Sequence, residues 1–151
     1  MFAYINEYGE KQVVDVKPDK YDTYNLDWTL AQIIYPLLIQ LRDTTNGSPE
    51  MDDEDVHPTV RHEDIHTRWD WALGEMAWAF AQSFDDYASN DMIRETEIRH
   101  GKMFPDGDVG SWLADSVKRM YSDYEWERDV YQKRILNGRM LFAKYYGGLW
   151  D

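Results

Sequence analysis

The chain has 151 residues, of which 29 are acidic and 16 are basic, so its formal net charge at pH 7 is −13. A charge of this sign repels phosphate backbones and anionic membrane surfaces, and we expect no direct nucleic-acid binding. The absence of cysteine excludes disulfides, thiolate zinc sites and cysteine nucleophiles. Aromatic residues make up 15% of the chain, which favours a packed core over disorder.

The length and hydropathy of the chain predict a single domain without a membrane span or a signal peptide. No apolar run approaches the roughly 20 residues that span a bilayer, so no membrane association is predicted. Charged residues throughout positions 1–20 predict no signal peptide. The length fits one domain over residues 1–151.

The N-terminal half predicts a hairpin followed by a helix. Two short apolar runs, 2–5 and 13–16, flank a polar segment containing Gly9, a pattern typical of a β-hairpin. Apolar residues then recur at helical spacing from Asn25 to Leu41, which predicts the first helix. Pro36 lies inside that helix and predicts a kink or a break.

The middle of the chain alternates between loops and helices. Residues 50–63 are acidic and almost without apolar anchors, so they are expected to form an exposed loop. A second helix is predicted over 64–87, with a wide apolar stripe. Residues 88–110 contain several glycines and indicate a loop around a short helix at 91–99.

The C-terminal segment predicts a third long helix. Ser122 and Glu125 form a capping-box pattern before apolar residues at helical spacing through about Tyr146, although earlier apolar residues allow a start near Ser111. Gly138 inside this helix indicates either a close helix crossing or a break. The expected fold is therefore mainly α: a compact helical domain of three main helices, with a small N-terminal β-hairpin and long polar loops.

Three long blocks of sequence resemble a family of small tailed-bacteriophage proteins that have no established activity. They are YNLDWTLAQIIYPLLIQLRDTTNGSPEMDDEDV (24–56), RWDWALGEMAWAF (68–80) and NGRMLFAKYYGGLWD (137–151). The resemblance implies a viral origin and an infected-cell setting, either the cytoplasm of the host or the virion. It supplies no catalytic residue.

The segment HEDIH matches the HExxH pattern of zinc peptidases. On a helix, His62 and His66 would project from one face as metal ligands, and Glu63 would polarise a metal-bound water. Against this, Asp64 stands where zinc peptidases usually have an apolar residue, and the surrounding segment is highly polar. The alternative is that Glu63 and Asp64 lie in the first turn of the second helix and stabilise its N-terminus.

A carboxylate metal centre is a related possibility. Glu63 with His66, and Glu97 with His100, have the ExxH spacing of di-iron carboxylate bundles. Such a centre needs further glutamates from two other helices, and Glu97 and His100 lie in a polar stretch without a strong apolar face. We therefore expect no cofactor, with a divalent metal as the alternative.

The acidic run Asp52, Asp53, Glu54 and Asp55 is a candidate binding surface. It lacks the spacing and the glycine of an EF-hand loop, so a solvated charged loop is the default interpretation. In an infected cell, an acidic surface is also typical of viral inhibitors that occupy the basic clefts of host nucleic-acid enzymes.

Three tryptophans are further candidates for binding. Trp71 and Trp78 lie on the face of the second helix opposite its main stripe, and Trp150 follows the end of the last helix. Exposed tryptophan is enriched at binding hot spots. The competing interpretation is that the second helix is buried on both sides and that Trp150 packs on its own domain.

The sequence contains no P-loop, no GxGxxG and no GxSxG motif, and this favours a protein that is not an enzyme. The leading hypothesis is a phage accessory protein that binds and neutralises a host or defence component through an acidic, aromatic-rich surface. One alternative is a virion or assembly component that forms a homo-oligomer, with host or phage proteins as partners in either case. The other alternative is a metal-dependent enzyme built on HEDIH.

Overall fold

The computed structural model describes residues 2–8, 11–84, 98 and 130–150. The α-helices and strands of this part are β1 (Phe2–Tyr8), β2 (Lys11–Lys17), α1 (Leu26–Thr44), α2 (Ile65–Ala81) and α3 (Val130–Lys144). Two short 3₁₀ helices lie at Asp53–Asp55, between α1 and α2, and at Tyr146–Gly148, after α3. The prediction of a mainly helical fold with three main helices is confirmed. Apart from Ile98, the predicted short helix at 91–99 and the capping box at Ser122 lie outside the described residues.

The two N-terminal apolar runs pair as the predicted hairpin. Strands β1 and β2 are antiparallel, with Phe2 opposite Lys17 and Tyr8 opposite Lys11. The side chains of Val14 and Val16 in β2 are about half exposed, at 53% and 48%. The hairpin therefore presents apolar side chains to solvent.

Helix α1 runs without a break past Pro36, which lies inside it. Its start is tied to the preceding turn, because the Thr29 hydroxyl donates a hydrogen bond to the Asp22 carbonyl oxygen at 3.0 Å. It ends where Thr45 adopts an extended conformation while its amide still donates to the Leu41 carbonyl. The predicted break at Pro36 is not present.

Helix α2 forms the centre of the described part. It packs against α1 on one side and against α3 on the other. The crossing with α3 depends on Gly138, since a Cβ atom there would lie 2.5 Å from both the Ala79 Cβ and the Glu75 carbonyl oxygen. Of the two predictions for Gly138, the close helix crossing is therefore confirmed.

The segment before α2 is not the exposed loop that we predicted. Met51, Val56 and Val60 are 4%, 0% and 3% exposed and belong to the same core as α2. Arg68 holds the segment from the helix side, donating a hydrogen bond to the Met51 carbonyl oxygen at 2.6 Å. The prediction was wrong because three well-spaced apolar side chains are enough to anchor a polar loop. No helix in the described residues is long and apolar enough to cross a membrane.

Candidate functional site

The acidic run is tied to the end of α3 by a cluster of polar contacts. Asp55 is 4% exposed, and its carboxylate accepts hydrogen bonds from the Tyr145 hydroxyl at 2.6 Å and from the Lys144 ammonium group. The same ammonium group donates to Asp52 at 2.8 Å, and the Asp52 amide donates to the Tyr145 oxygen at 3.0 Å. The interpretation of the run as a solvated loop is therefore wrong for Asp55, which is held inside a network.

Proton affinities in this cluster follow from its contacts. Hydrogen bonds and charge attraction from Lys144 lower the pKa of Asp52. Burial, reinforced by the hydrogen bond to Asp55, raises the pKa of Tyr145 to about 12. Partial burial opposes the charge of Lys144, but its bonds to Asp52 and Asp55 outweigh that effect and raise its pKa. At neutral pH the cluster thus holds a charged lysine and a neutral tyrosine, an arrangement that stabilises the loop.

The other two acidic residues of the run remain at the surface. The Asp53 carboxylate lies 2.9 Å from the Arg68 guanidinium group, and the Asp53 side chain is 71% exposed. Glu54 is also exposed. Asp52, Asp53 and Glu54 therefore form a small acidic surface, in which Asp52 pairs with Lys144 and Asp53 with Arg68, whereas Asp55 is buried.

The HEDIH segment does not lie on one helix. Helix α2 begins at Ile65, and His62 lies in the turn before it. Asp64 is the N-cap, and its carboxylate accepts hydrogen bonds from the amides of His66 and Thr67, each at 2.9 Å. The amide of Thr67 in particular lowers the pKa of Asp64. For Asp64, the helix-stabilising interpretation is what the structure shows.

The zinc interpretation needed His62 and His66 on one face of a helix, and this geometry is not formed. His66 Nδ1 and the Ser48 hydroxyl instead share a hydrogen bond of 2.8 Å. Across the described ranges, no group of three histidine, aspartate or glutamate side chains is placed to hold a metal ion. Glu97 and His100 lie outside those ranges.

Trp71 and Trp78 do not form a binding surface. They are 0% and 1% exposed, as part of a core that also contains Trp69. The His57 ring lies 6.5 Å from Trp71, and the guanidinium carbon of Arg134 lies 4.2 Å above the Trp78 ring. The interpretation of α2 as buried on both sides is therefore confirmed, because the loop covers one tryptophan and α3 covers the other.

Trp150 is the one tryptophan of the three that stays at the surface. Its side chain is 54% exposed. The ring packs against Gly47, where an added Cβ would lie 2.7 Å from Trp150 Cζ3. One side of the ring thus docks on the loop after α1, while the rest remains accessible.

The turn that precedes α1 carries the most exposed aromatic rings among the described side chains. Tyr24 and Tyr21 are 85% and 70% exposed, and Trp28 in the first turn of α1 is 48% exposed. Three aspartates alternate with these rings along the chain: Asp19, Asp22 and Asp27. We call residues 19–28 the acidic aromatic turn.

Local hydrogen bonds order this turn. The Asp22 amide donates to the Asp19 carbonyl and the Tyr24 amide to the Tyr21 carbonyl, each at 3.1 Å. The Asp19 amide donates to the Asp22 carboxylate and lowers its pKa, so this group stays charged at neutral pH. The rings therefore lie on a defined backbone among three carboxylates and one cation, since the Lys20 ammonium group lies 4.7 Å from the centroid of the Tyr21 ring.

Tyr21, Tyr24 and Trp28 were not among the predicted site residues. A signal was present, since aromatic and acidic residues alternate from Asp19 to Trp28 without the spacing of a buried helix face. Aromatic residues outside an apolar stripe are the ones to examine for surface roles.

Comparison of the chain with protein-family models, with curated proteins and with solved structures finds no match. The phage resemblance and the functional hypotheses that depend on it therefore stay predictions.

Proposed function

We propose that the chain is a non-enzymatic protein-binding module that binds and neutralises a basic host or defence component, and that the acidic aromatic turn is its main contact surface. The observation that carries the proposal is the exposure of Tyr21 and Tyr24, at 70% and 85%, beside Asp19 and Asp22. Aromatic rings with so large an exposed fraction bury little area on folding and contribute little to the stability of the fold. They are available for contact with another protein.

The chemistry of the turn indicates the kind of partner. Tyrosine and tryptophan are enriched at the buried centres of protein interfaces, where their rigid rings bury a large area at a low cost in conformational entropy. The aspartates around them, together with a net charge of −13, favour a basic surface and disfavour anionic ones. Exposed aromatic and acidic side chains also occur elsewhere on the molecule. They are the half-exposed Trp150 and the acidic surface of Asp52, Asp53 and Glu54.

The setting of the proposal comes from the phage resemblance. A protein made in an infected cell meets host nucleic-acid enzymes, whose clefts are basic. An acidic surface bearing aromatic rings can occupy such a cleft by charge complementarity, while the rings bury apolar area. Neutralisation then requires only that the bound module excludes the natural ligand.

Affinity capture from infected cells, followed by mass spectrometry, tests the proposal. We expect a stoichiometric basic protein with the unmodified chain and its loss with the triple variant Tyr21→Ala, Tyr24→Ala and Trp28→Ala. The matched control changes the exposed Val14 and Val16 of the hairpin to serine and is expected to retain the partner. Capture that is equal for both variants, or no stoichiometric protein at all, would count decisively against the proposal.

A further inference from the structure

The sequence contains two Asn-Gly pairs, and the fold places them in opposite surroundings. The pair of Asn46 and Gly47 lies after α1, where residues 45–50 form no helix or strand, and Asn46 is exposed. The pair of Asn137 and Gly138 lies inside α3, and Asn137 is 1% exposed. Both pairs have the same covalent chemistry, so a difference in their reactivity comes from the fold.

An asparagine followed by glycine can lose its side-chain amide without an enzyme. Hydroxide removes the proton of the glycine amide, and the nitrogen attacks the side-chain carbonyl carbon of the asparagine. The bond from that carbon to the NH₂ group breaks, ammonia leaves, and a five-membered succinimide ring forms. Water opens the ring at either carbonyl carbon and gives aspartate or isoaspartate, so one water is consumed for each ammonia released. Glycine favours the ring closure because it has no Cβ atom to hinder its nitrogen.

The fold blocks this reaction at Asn137. An amide inside an α-helix donates its hydrogen bond to the carbonyl four residues earlier, and ring closure requires that this bond break. The neighbouring Gly138 is also held against α2, since a Cβ atom there would lie 2.5 Å from the Glu75 carbonyl oxygen. Asn137 therefore reacts only when α3 opens locally.

These restraints do not act at Asn46. Helix α1 ends just before it, where the Thr45 amide donates to the Leu41 carbonyl at 2.8 Å. In the described part of the chain, the Gly47 amide makes no backbone hydrogen bond that ring closure would have to break. The exposed Asn46 side chain is also in contact with the base and the water that the reaction needs.

The backbone around Asn46 carries the contact of Trp150. The Thr45 hydroxyl donates a hydrogen bond to the Gly47 carbonyl oxygen at 2.7 Å, which bridges Asn46. A Cβ atom at Gly47 would lie 2.7 Å from Trp150 Cζ3, so the ring and the loop are in close contact. Isoaspartate routes the backbone through the former side chain and lengthens it by one carbon atom. This extra atom moves Gly47 relative to Thr45 and leaves the ring of Trp150 without its present seat.

We propose that Asn46 is a site of spontaneous deamidation, and that its isoaspartate product releases the ring of Trp150 from Gly47. The reaction adds a carboxylate to an already acidic chain and further exposes a ring that is 54% exposed before it. The surface of the protein therefore changes with age. The proposal does not depend on the identity of any partner.

Ageing of the full chain, followed by mass spectrometry of tryptic peptides, tests the first step. Trypsin cleavage after arginine places the two pairs on separate peptides, residues 43–61 and 135–139. Conversion raises the mass of a peptide by one unit, because OH replaces NH₂. At mildly alkaline pH we expect Asn46 to convert at least about 10-fold faster than Asn137. In a chain unfolded by guanidinium chloride, the two rates should approach each other.

Nuclear magnetic resonance of the tryptophan indole groups tests the second step. The signal of Trp150 is identified by its loss in Trp150→Phe. In the aged chain we expect a second Trp150 signal, whose share follows the isoaspartate content measured by enzymatic methylation. Asn46→Asp is the matched control, since it adds the charge without the extra backbone atom, and it is expected to keep the original signal.

Conversion of Asn46 that is absent, or no faster than that of Asn137 in the folded chain, would overturn the site. A Trp150 signal that does not change as isoaspartate accumulates, or that changes equally in Asn46→Asp, would overturn the release of the ring. Neither result bears on the proposed function, because capture of the partner uses freshly made protein and depends on Tyr21, Tyr24 and Trp28.

Discussion

Helices α1 and α2 have similar lengths and similar apolar spacing, but α2 is mostly buried and α1 is mostly not. Eleven of the 17 residues of α2 are buried, against three of the 19 residues of α1. The difference follows from position, because α2 packs against both α1 and α3 while the loop before it covers a further side. Residues that look alike in sequence therefore act as core in α2 and as surface in α1.

The difference in burial between the two helices indicates which of them can carry a binding function. A helix enclosed on all sides, such as α2, contributes stability through packing and buried ion pairs. Helix α1 has half-exposed leucines and begins next to an exposed aromatic turn, and such a helix can contact another protein. Substitutions in the two helices should therefore separate stability from binding.

The largest expected effect comes from the buried ion pair of α2. Glu75 is fully buried, and its carboxylate accepts hydrogen bonds from Arg134 at 3.0 and 2.7 Å. We expect Glu75→Ala to lower the free energy of unfolding by about 3–5 kcal/mol, because it leaves a buried guanidinium group without its carboxylate. Denaturation in urea measures the change.

The control for this prediction is Asp53→Ala, which removes the exposed pair with Arg68. An exposed pair contributes about 0–1 kcal/mol, so the control should lose little stability. A similar loss in both variants would show that burial of Glu75 does not determine the energy of its pair.

The next effect tests the crossing of α2 with α3. Alanine at Gly138 would place a methyl group 2.5 Å from a backbone carbonyl oxygen of α2. We expect Gly138→Ala to lower the free energy of unfolding by about 1–3 kcal/mol, since the helices must separate to accommodate the methyl group. Gly147→Ala is the matched control, with no atom within 4 Å of the added carbon. Equal stability of the two variants would mean that the close crossing does not occur in solution.

A smaller effect tests how the acidic run is tied to α3. We expect Tyr145→Phe to lower the free energy of unfolding by about 1–2 kcal/mol, because the buried Asp55 carboxylate loses a donor. Folding raises the pKa of Tyr145 from an ordinary value near 10 to about 12. A pKa raised by folding gives stability that is full below pH 10 and is lost as the pH rises to about 12.

Denaturation between pH 8 and pH 12 checks this dependence. The unmodified chain should lose stability over the upper half of that range, and Tyr145→Phe should lose less over the same interval. The raised pKa of Lys144 acts in the same direction, so a residual slope is expected in the variant. An unchanged slope would indicate that Tyr145 does not titrate in the folded cluster.

Features set by local rules could be predicted from the sequence. For Gly138 the sequence left a close crossing and a break both open, but the hairpin and the main stripe of α2 followed from residue spacing, and the helix-stabilising role of Asp64 from its place before an apolar run. Each depends on residues close together in the chain, where periodicity and capping chemistry act directly. The same locality explains why α1 was found at nearly its observed bounds.

Features set by distant contacts could not be predicted. Periodicity within α2 identifies one buried face, but it does not show that His57 from the loop and Arg134 from α3 lie against Trp71 and Trp78 on the other. Asp55 and Tyr145 are 90 residues apart in sequence, and nothing near either residue signals their hydrogen bond. The predicted binding roles of Trp71 and Trp78 failed for this reason, and the exposed turn at residues 19–28 was overlooked.

The smallest expected effect is that of Leu37 in α1, and the adjacent Leu38 serves as its comparison. Leu37 is 56% exposed on the surface of α1, and Leu38 is 3% exposed in the core. We expect Leu37→Ala to change the free energy of unfolding by less than about 0.5 kcal/mol, the usual range for surface positions. Leu38→Ala is expected to lower it by about 2–5 kcal/mol, through lost burial and the cavity that remains.

Denaturation of these two variants tests whether the half-exposed leucines of α1, Leu26, Leu30 and Leu37, are exposed in solution. The substitutions remove the same atoms from neighbouring positions of one helix, so the change in helix propensity cancels in the comparison. If Leu37→Ala costs as much as Leu38→Ala, the Leu37 side chain is covered in the free protein. A large difference between the two leaves the half-exposed leucines uncovered and able to bind, because exposed leucines that do not stabilise the fold are free to gain burial in a complex.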